Sequence, residues 1–388
     1  MKTTLLVLLI STLSFAEEVK KPSQVPEKMQ KLYLTLSDIL TQSSSLDRFN
    51  DKSNQSKIEE NLKTLSTLSH SMNDREFKGE NSDPTLTILS GYLSEETKTA
   101  YTAFKNGKKE FSRNIIRSIP GTCIACHSRT DSGAQFDKLG LEPSDNTLKP
   151  NERAEFYAAT RQYDRAEKSF LEIIENQTIA TTDPYTWENA VKQSVTIAVR
   201  VKKDAQLAKT IIETALKQKK AAYYVREDLN HWKKSVEQWL KEPKKKLQSE
   251  RGLLAEGMKL IADAHRMQKY PMDHAADILY LRASSTFYDL IQKAPAGKNV
   301  SEALMMQGIC NEVLNPKGFE DLHRLYYESC IRKMPHSSIA MDCYRRYERS
   351  TVQGYTGSAG TMVPDDIKQK LLDLFSLSVG KGSPDQVY

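Results

Sequence analysis

Three side chains able to hold a metal or a covalent cofactor stand within five positions of one another: Cys123, Cys126 and His127, in the stretch GTCIACHSR. The spacing CxxCH is the attachment pattern of c-type haem. On a helix, positions i, i+3 and i+4 share one face. Both thiols can then reach one edge of a porphyrin and form two thioethers. His127, next along, can bring its imidazole to the iron as proximal ligand. Other uses of the three residues each lack a part. Structural zinc wants four ligands, usually as two separated pairs, and no second CxxC or HxxxH is present. A thioredoxin-like dithiol belongs in a βαβ context, which the sequence does not offer. A disulfide between Cys123 and Cys126 leaves the adjacent histidine without a role. One covalent haem c is the expected cofactor, and with no second CxxCH a further haem is not expected.

The first residues read MKTTLLVLLISTLSFAEEVKK. Lys2 gives a short positive start, residues 5–15 form an apolar run, and Ser14 and Ala16 place small residues before Glu17. Residues 1–16 therefore read as a secretory signal peptide. The run is short for a membrane span, and no later segment is long and apolar enough for one. The expected location is the periplasm or the exterior of a bacterium, where disulfides persist. The 388 residues are 39% hydrophobic and 27% charged, ordinary for a globular chain, and suggest two domains. A net charge of +6 without a basic, aromatic-interleaved stripe makes nucleic acid a poor partner.

Four helical segments must position the motif. VPEKMQKLYLTLSDIL carries Met29, Leu32, Leu36 and Leu40 at helical spacing, and SKIEENLKTLSTLSHSM carries Ile58, Leu62, Leu65 and Leu68. TLTILSGYLSEETKTAYTAFKNG is a third, with a break expected near Ser94. KKEFSRNIIRSIPGTCIACHSR is the fourth, with Phe111, Ile115 and Ile116 as its apolar stripe and a kink or restart expected at Pro120 and Gly121. The motif thus ends the fourth helix. This arrangement resembles the cytochrome c-prime class of four-helix-bundle cytochromes, over residues 24–130. A small cytochrome c of the usual kind carries its CxxCH near the N-terminus instead.

The resemblance implies that the second axial position is either open, faced by an apolar residue, or filled by a methionine of the first helix. Met29 is the candidate distal ligand, His70 a weaker one, and Met72 weaker again. If Met29 sits one turn out of register, Leu32 caps the iron. A Met–His pair suits electron transfer, whereas an open position suits binding of a small gas.

Residues 131–149 lack helical periodicity and read as a linker. Beyond them, residues 150–380 look helical throughout. NERAEFYAATRQYDRAEKSFLEII resembles a tetratricopeptide unit, with Ala154, Tyr157, Tyr163, Ala166, Phe170 and Ile173 at that repeat's positions. Echoes recur at Ala208, Ile212, Ala215 and Leu216; at Ala283, Phe287, Leu290, Ile291 and Pro295; and at Tyr327, Ile331 and Pro335, with His323 in the small-residue position. Residues 220–267 show no clear copy. EPKKKLQSER reads as a solvated linker or helix start, and GYTGSAG, without the Gly-Lys-Ser/Thr ending of a phosphate loop, as a turn before a last helix over 365–377. Repeats of this kind present a surface to protein partners, so a protein partner is implied. Of the remaining cysteines, Cys330 and Cys343 flank the turn at Pro335 and His336 and form the expected disulfide, leaving Cys310 single.

The expected fold is all-α: a four-helix-bundle haem domain followed by a TPR-like α-solenoid. The expected function is that of an exported c-type cytochrome transferring electrons, docked to its partner through the repeats. The alternative is a haem-based gas sensor or binding protein. A haem peroxidase would need a distal acid–base group, for which His70 is the lone prospect, so the chain reads as a non-enzyme. His231, His265, His274, His323 and His336 are scattered and read as structural or solvated.

Overall fold

In the computed structural model, residues 25–72, 84–129, 148–243, 249–271, 273–315 and 321–380 are described. The signal-peptide and almost all of the linker readings fall outside them. Among the described residues the fold is all-α, with one pair of two-residue strands, Thr356–Gly357 and Gly360–Thr361, in the GYTGSAG turn. No helix among them is long and apolar enough to cross a membrane.

The bundle is built from α1 (Val25–Gln42), the short α2 (Leu46–Asn50), α3 (Gln55–Met72), α4 (Pro84–Lys105) and α5 (Lys109–His127). The expected apolar stripes are largely those buried: Leu36 and Leu40 on α1, Ile58, Leu62 and Leu65 on α3. α2 was not legible in the polar run after α1. Ser45 caps it by accepting from the Arg48 N–H, and Phe49, fully buried, meets Phe104 edge-on at 5.8 Å.

Three local expectations are corrected. α4 runs through Ser94, which is buried; the Thr97 hydroxyl folds back on the carbonyls of Leu93 and Ser94 within the helix. α5 does not restart at Pro120 and Gly121 but runs on as one helix to His127, with the proline buried. Phe111 is 54% exposed, because the buried face of α5 is instead set by Ser112, Ile116 and Ile119. The Ser112 hydroxyl donates to the Ala100 carbonyl at 2.8 Å. Ser112 thus takes a position facing α4, and the neighbouring Phe111 points outward.

The rest of the chain is a succession of helices packed on their neighbours: α6 (Pro150–Ala159), α7 (Tyr163–Glu175), α8 (Gln177–Thr182), α9 (Pro184–Thr196), α10 (Ala205–Leu216), α11 (Tyr223–Trp239), α12 (Glu250–Met267), α13 (Asp277–Lys293), α14 (Val300–Leu314), α15 (Leu322–Lys333), α16 (Ser338–Gly354) and α17 (Asp365–Ser378). A π-helical turn, Ile197–Val201, follows α9. Ala166, Phe170, Ala208, Ala283, Phe287 and Tyr327 are all buried at helix contacts. Where no repeat copy was visible, α11 and α12 still present apolar faces, with Leu229, Trp232 and Val236 on one and Leu253, Leu260 and Ile261 on the other. Glycine provides close approach there: a Cβ on Gly257 would fall 2.6 Å from the Phe287 ring. Cys330 and Cys343 are joined as a disulfide between α15 and α16, and Cys310 is buried as a thiol.

The apolar core joins helices on both sides of residues 130–147. One buried cluster runs from Tyr33 and Leu36 on α1 through Phe156 and Trp187 to Val236 on α11. A second joins Leu89 of α4 and Ala125 of α5 to side chains between Leu253 and Leu374. α5 is therefore packed from both directions, and its C-terminal end is held by residues far along the chain.

Candidate haem site

The bundle helices leave an apolar cavity of about 1100 Å³, its open mouth included, onto which Cys123, Cys126 and His127 all face. α1 contributes Met29, Leu32, Tyr33 and Leu36; α3 contributes Leu65 and Met72; α4 contributes Leu86, Leu89, Leu93 and Thr97. Ala159 and Thr160 close it from the end of α6. The helical spacing of the motif thus places its three functional side chains on one cavity wall, as i, i+3 and i+4 require.

His127 is oriented by the chain that follows. Its Nδ1 lies 2.5 Å from the Ala159 carbonyl oxygen. A carbonyl only accepts, so Nδ1 carries the proton and Nε2 is left with its lone pair. This is the carbonyl-anchored arrangement typical of histidines that bind a metal. Burial lowers the pKa of the ring to about 4, the nearby Arg161 charge adds to the effect, and the bond to Ala159 opposes it. The imidazole is neutral near pH 7, the form that coordinates a metal. The Tyr163 hydroxyl donates to the His127 carbonyl at 2.7 Å, satisfying an acceptor at the helix end.

Cys123 and Cys126 are thiols, not a disulfide. Burial pushes Cys123 up to about 12, reinforced by the neighbouring Cys126 and by Glu96. A redox dithiol works through a depressed thiol pKa, so the environment is the reverse of what that chemistry uses. Among the described residues no group of three or more His, Cys, Asp or Glu side chains is placed to hold a metal ion. The donor set, two thiols and one oriented imidazole on an apolar cavity, fits a covalently held haem.

The distal candidates separate. Met29 is half-buried and lines the cavity, as does Met72, which is buried. Leu32 lines it too, one turn from Met29. His70 does not come to the site: it is exposed near the end of α3, and Ser69, buried against Thr97 at 2.6 Å, takes the inward position beside it. Apart from His127 and the two thiols, the described lining holds no imidazole, carboxylate or guanidinium.

Several site residues carried no signal in the sequence. Ala159 acts through its backbone carbonyl, which side-chain chemistry cannot announce. Tyr163 was visible only as a repeat position. Glu96 on α4 accepts from the Thr122 hydroxyl at 2.6 Å, next to Cys123, and burial raises its pKa. Compared with known proteins, the chain matches no family model, no curated protein and no solved structure.

Proposed function

We propose that the chain is an exported c-type cytochrome that binds one covalent haem and transfers electrons. The observation that carries this reading is the apolar cavity onto which Cys123, Cys126 and a tautomer-fixed His127 open together. Cys123 and Cys126 would hold the haem through thioether links and His127 would hold its iron. Met29 is the proposed distal ligand, its thioether a suitable soft donor to ferrous iron. Bound here, a haem supplies a one-electron iron couple.

The chain's own residues set the conditions for that chemistry. The Ala159 carbonyl fixes the ring of His127 and raises its basicity as a ligand. Leu32, Leu36, Leu65, Leu89 and Leu93 exclude water, which disfavours extra charge in the cavity. The scarcity of acid–base groups along the lining favours electron transfer over peroxide chemistry. The resemblance to cytochrome c-prime bundles and to tetratricopeptide repeats belongs to this proposal. So does a protein partner docked on the helices beyond α6. Export to the periplasm or exterior rests on the N-terminal residues alone.

The test is a reduced-minus-oxidised optical spectrum, recorded with and without CO. A low-spin haem c spectrum unaffected by CO is expected. Ready CO binding would move the assignment to the gas-binding alternative, and no haem spectrum at all would end both.

A further inference from the structure

α5 has a second cavity on its other side. Gly121, Ile124, Ala125 and Ser128, which alternate with the haem-motif residues, line a cleft of about 1210 Å³, its open mouth included. Its far walls come from α9, α11, α13 and α14, with Val195, Trp232, Leu281 and Leu314 as apolar surface. Polar groups converge on it too: Asn189, Lys192, Gln193, Arg200 and Asn311.

Arg200 is the unusual member. It is only 6% exposed, yet its Nε has no hydrogen-bond partner, and no ion pair holds its guanidinium among the described residues. A buried cation normally has a counter-ion, because desolvating an unpaired charge costs several kcal/mol. The surroundings make the deficit worse. Arg129, 1% exposed and packed over the rings of Tyr288 and Tyr326, is a second buried cation whose charge Arg200 feels. The two carboxylates that line the cleft are already engaged elsewhere. Glu188 pairs with Lys192 at 2.7 Å, and Asp277 with His274 at 3.1 Å. Arg200 also sits in the π-helical turn Ile197–Val201, a rare distortion found disproportionately at functional sites.

We propose that this cleft is a binding site for a small organic carboxylate, whose anionic group pairs with Arg200 and whose apolar body lies against Leu281, Leu314 and Trp232. A guanidinium fork matches a carboxylate in two parallel hydrogen bonds, and the Gln193 amide N–H supplies a further donor. The apolar walls favour an acid with a hydrocarbon body over a bare inorganic anion. The proposal does not depend on the haem assignment, since none of these residues faces the haem cavity.

The test uses the full-length protein as purified and three probes: hexanoate, 1-hexanol and inorganic phosphate. Isothermal titration calorimetry is expected to show saturable binding of one hexanoate, with weaker or no binding of phosphate and none of 1-hexanol. Arg200→Gln is expected to weaken hexanoate at least about tenfold, equivalent to about 1.4 kcal/mol. Because Arg200 is buried, a second variant guards against a folding failure. Gln193→Trp, at a half-buried lining position, fills the cleft and is expected to abolish binding while the melting temperature stays near wild type. Absence of saturable hexanoate binding overturns the proposal. So does equal binding of hexanol or phosphate, or undiminished binding in Gln193→Trp.

Discussion

Removing one hydroxyl, in Tyr163→Phe, tests whether the helices from α6 onward brace the helix that carries the CxxCH motif. The Tyr163 ring is 5% exposed, so phenylalanine fills the same space and the change is confined to the hydroxyl. That group donates at 2.7 Å to the carbonyl of His127, the last residue of α5. Carbonyls in a last helical turn have no partner within the helix, and this one, on a half-buried residue, would lose its side-chain donor. The cost of one such bond is about 1–1.5 kcal/mol. For a chain of 388 residues that corresponds to a fall in Tm of about 1–2 °C. The assay is a thermal melt followed by far-ultraviolet circular dichroism, on protein carrying whatever cofactor it purifies with. Tyr223→Phe, at a tyrosine 76% exposed, is the control and is expected to melt with the wild type. The bond from His127 Nδ1 to Ala159 remains in the variant, so the haem spectrum is expected to change little. A Tyr163→Phe melt that coincides with the wild type and the control would refute the bracing argument.

Three further outcomes follow from particular residues. Met29→Ala is expected to open the iron to CO, whereas Met72→Ala leaves CO binding at its wild-type level; CO difference spectra of the two variants decide this. Asp228, half-buried, has its pKa raised from 3.8 to about 6, first by burial and then by the charge of Asp277. Its ionised form therefore costs stability above pH 6, a cost relieved as pH falls toward 3.8. Asp228→Asn is expected to stabilise the fold by about 1 kcal/mol near pH 7.5, the full shift being discounted for solvent screening, with no gain near pH 4. Urea melts at the two pH values measure both. Replacing Cys330 and Cys343 together by serine opens a link across a sequence separation of 13 and is expected to cost about 3 kcal/mol. A melt of that variant unchanged from wild type would contradict the estimate.

What could be read from the sequence depended on how local its physics is. The CxxCH motif is complete within five residues on one helical face, so its geometry was readable before any fold was known. The stripes of α1 and α3 were readable for the same reason: their period is set by the helix itself. That period put Met29, Leu32 and Leu36 on one stripe, and only the resemblance to a haem bundle pointed Met29 toward a cofactor. What failed was set by contact. Phe111 has the right type and spacing for a core position, but α5 meets α4 through Ser112, whose hydroxyl donates to the Ala100 carbonyl. Pro120 reads as a breaker, yet packing on both sides keeps α5 continuous. The partner of the His127 Nδ1 lies 32 residues away and is a backbone carbonyl, invisible to any reading of side chains. Arg200 is one basic residue among many in the sequence, which does not show that no ion pair holds it among the described residues.

The most direct test of the central assignment is the intact mass of the purified protein under denaturing conditions, expressed in a host that matures c-type cytochromes. The account predicts a polypeptide heavier by one haem, and a Cys123→Ala/Cys126→Ala variant that loses both the added mass and the haem stain on a denaturing gel. A wild-type chain at its bare polypeptide mass, with haem extractable or absent, would contradict it.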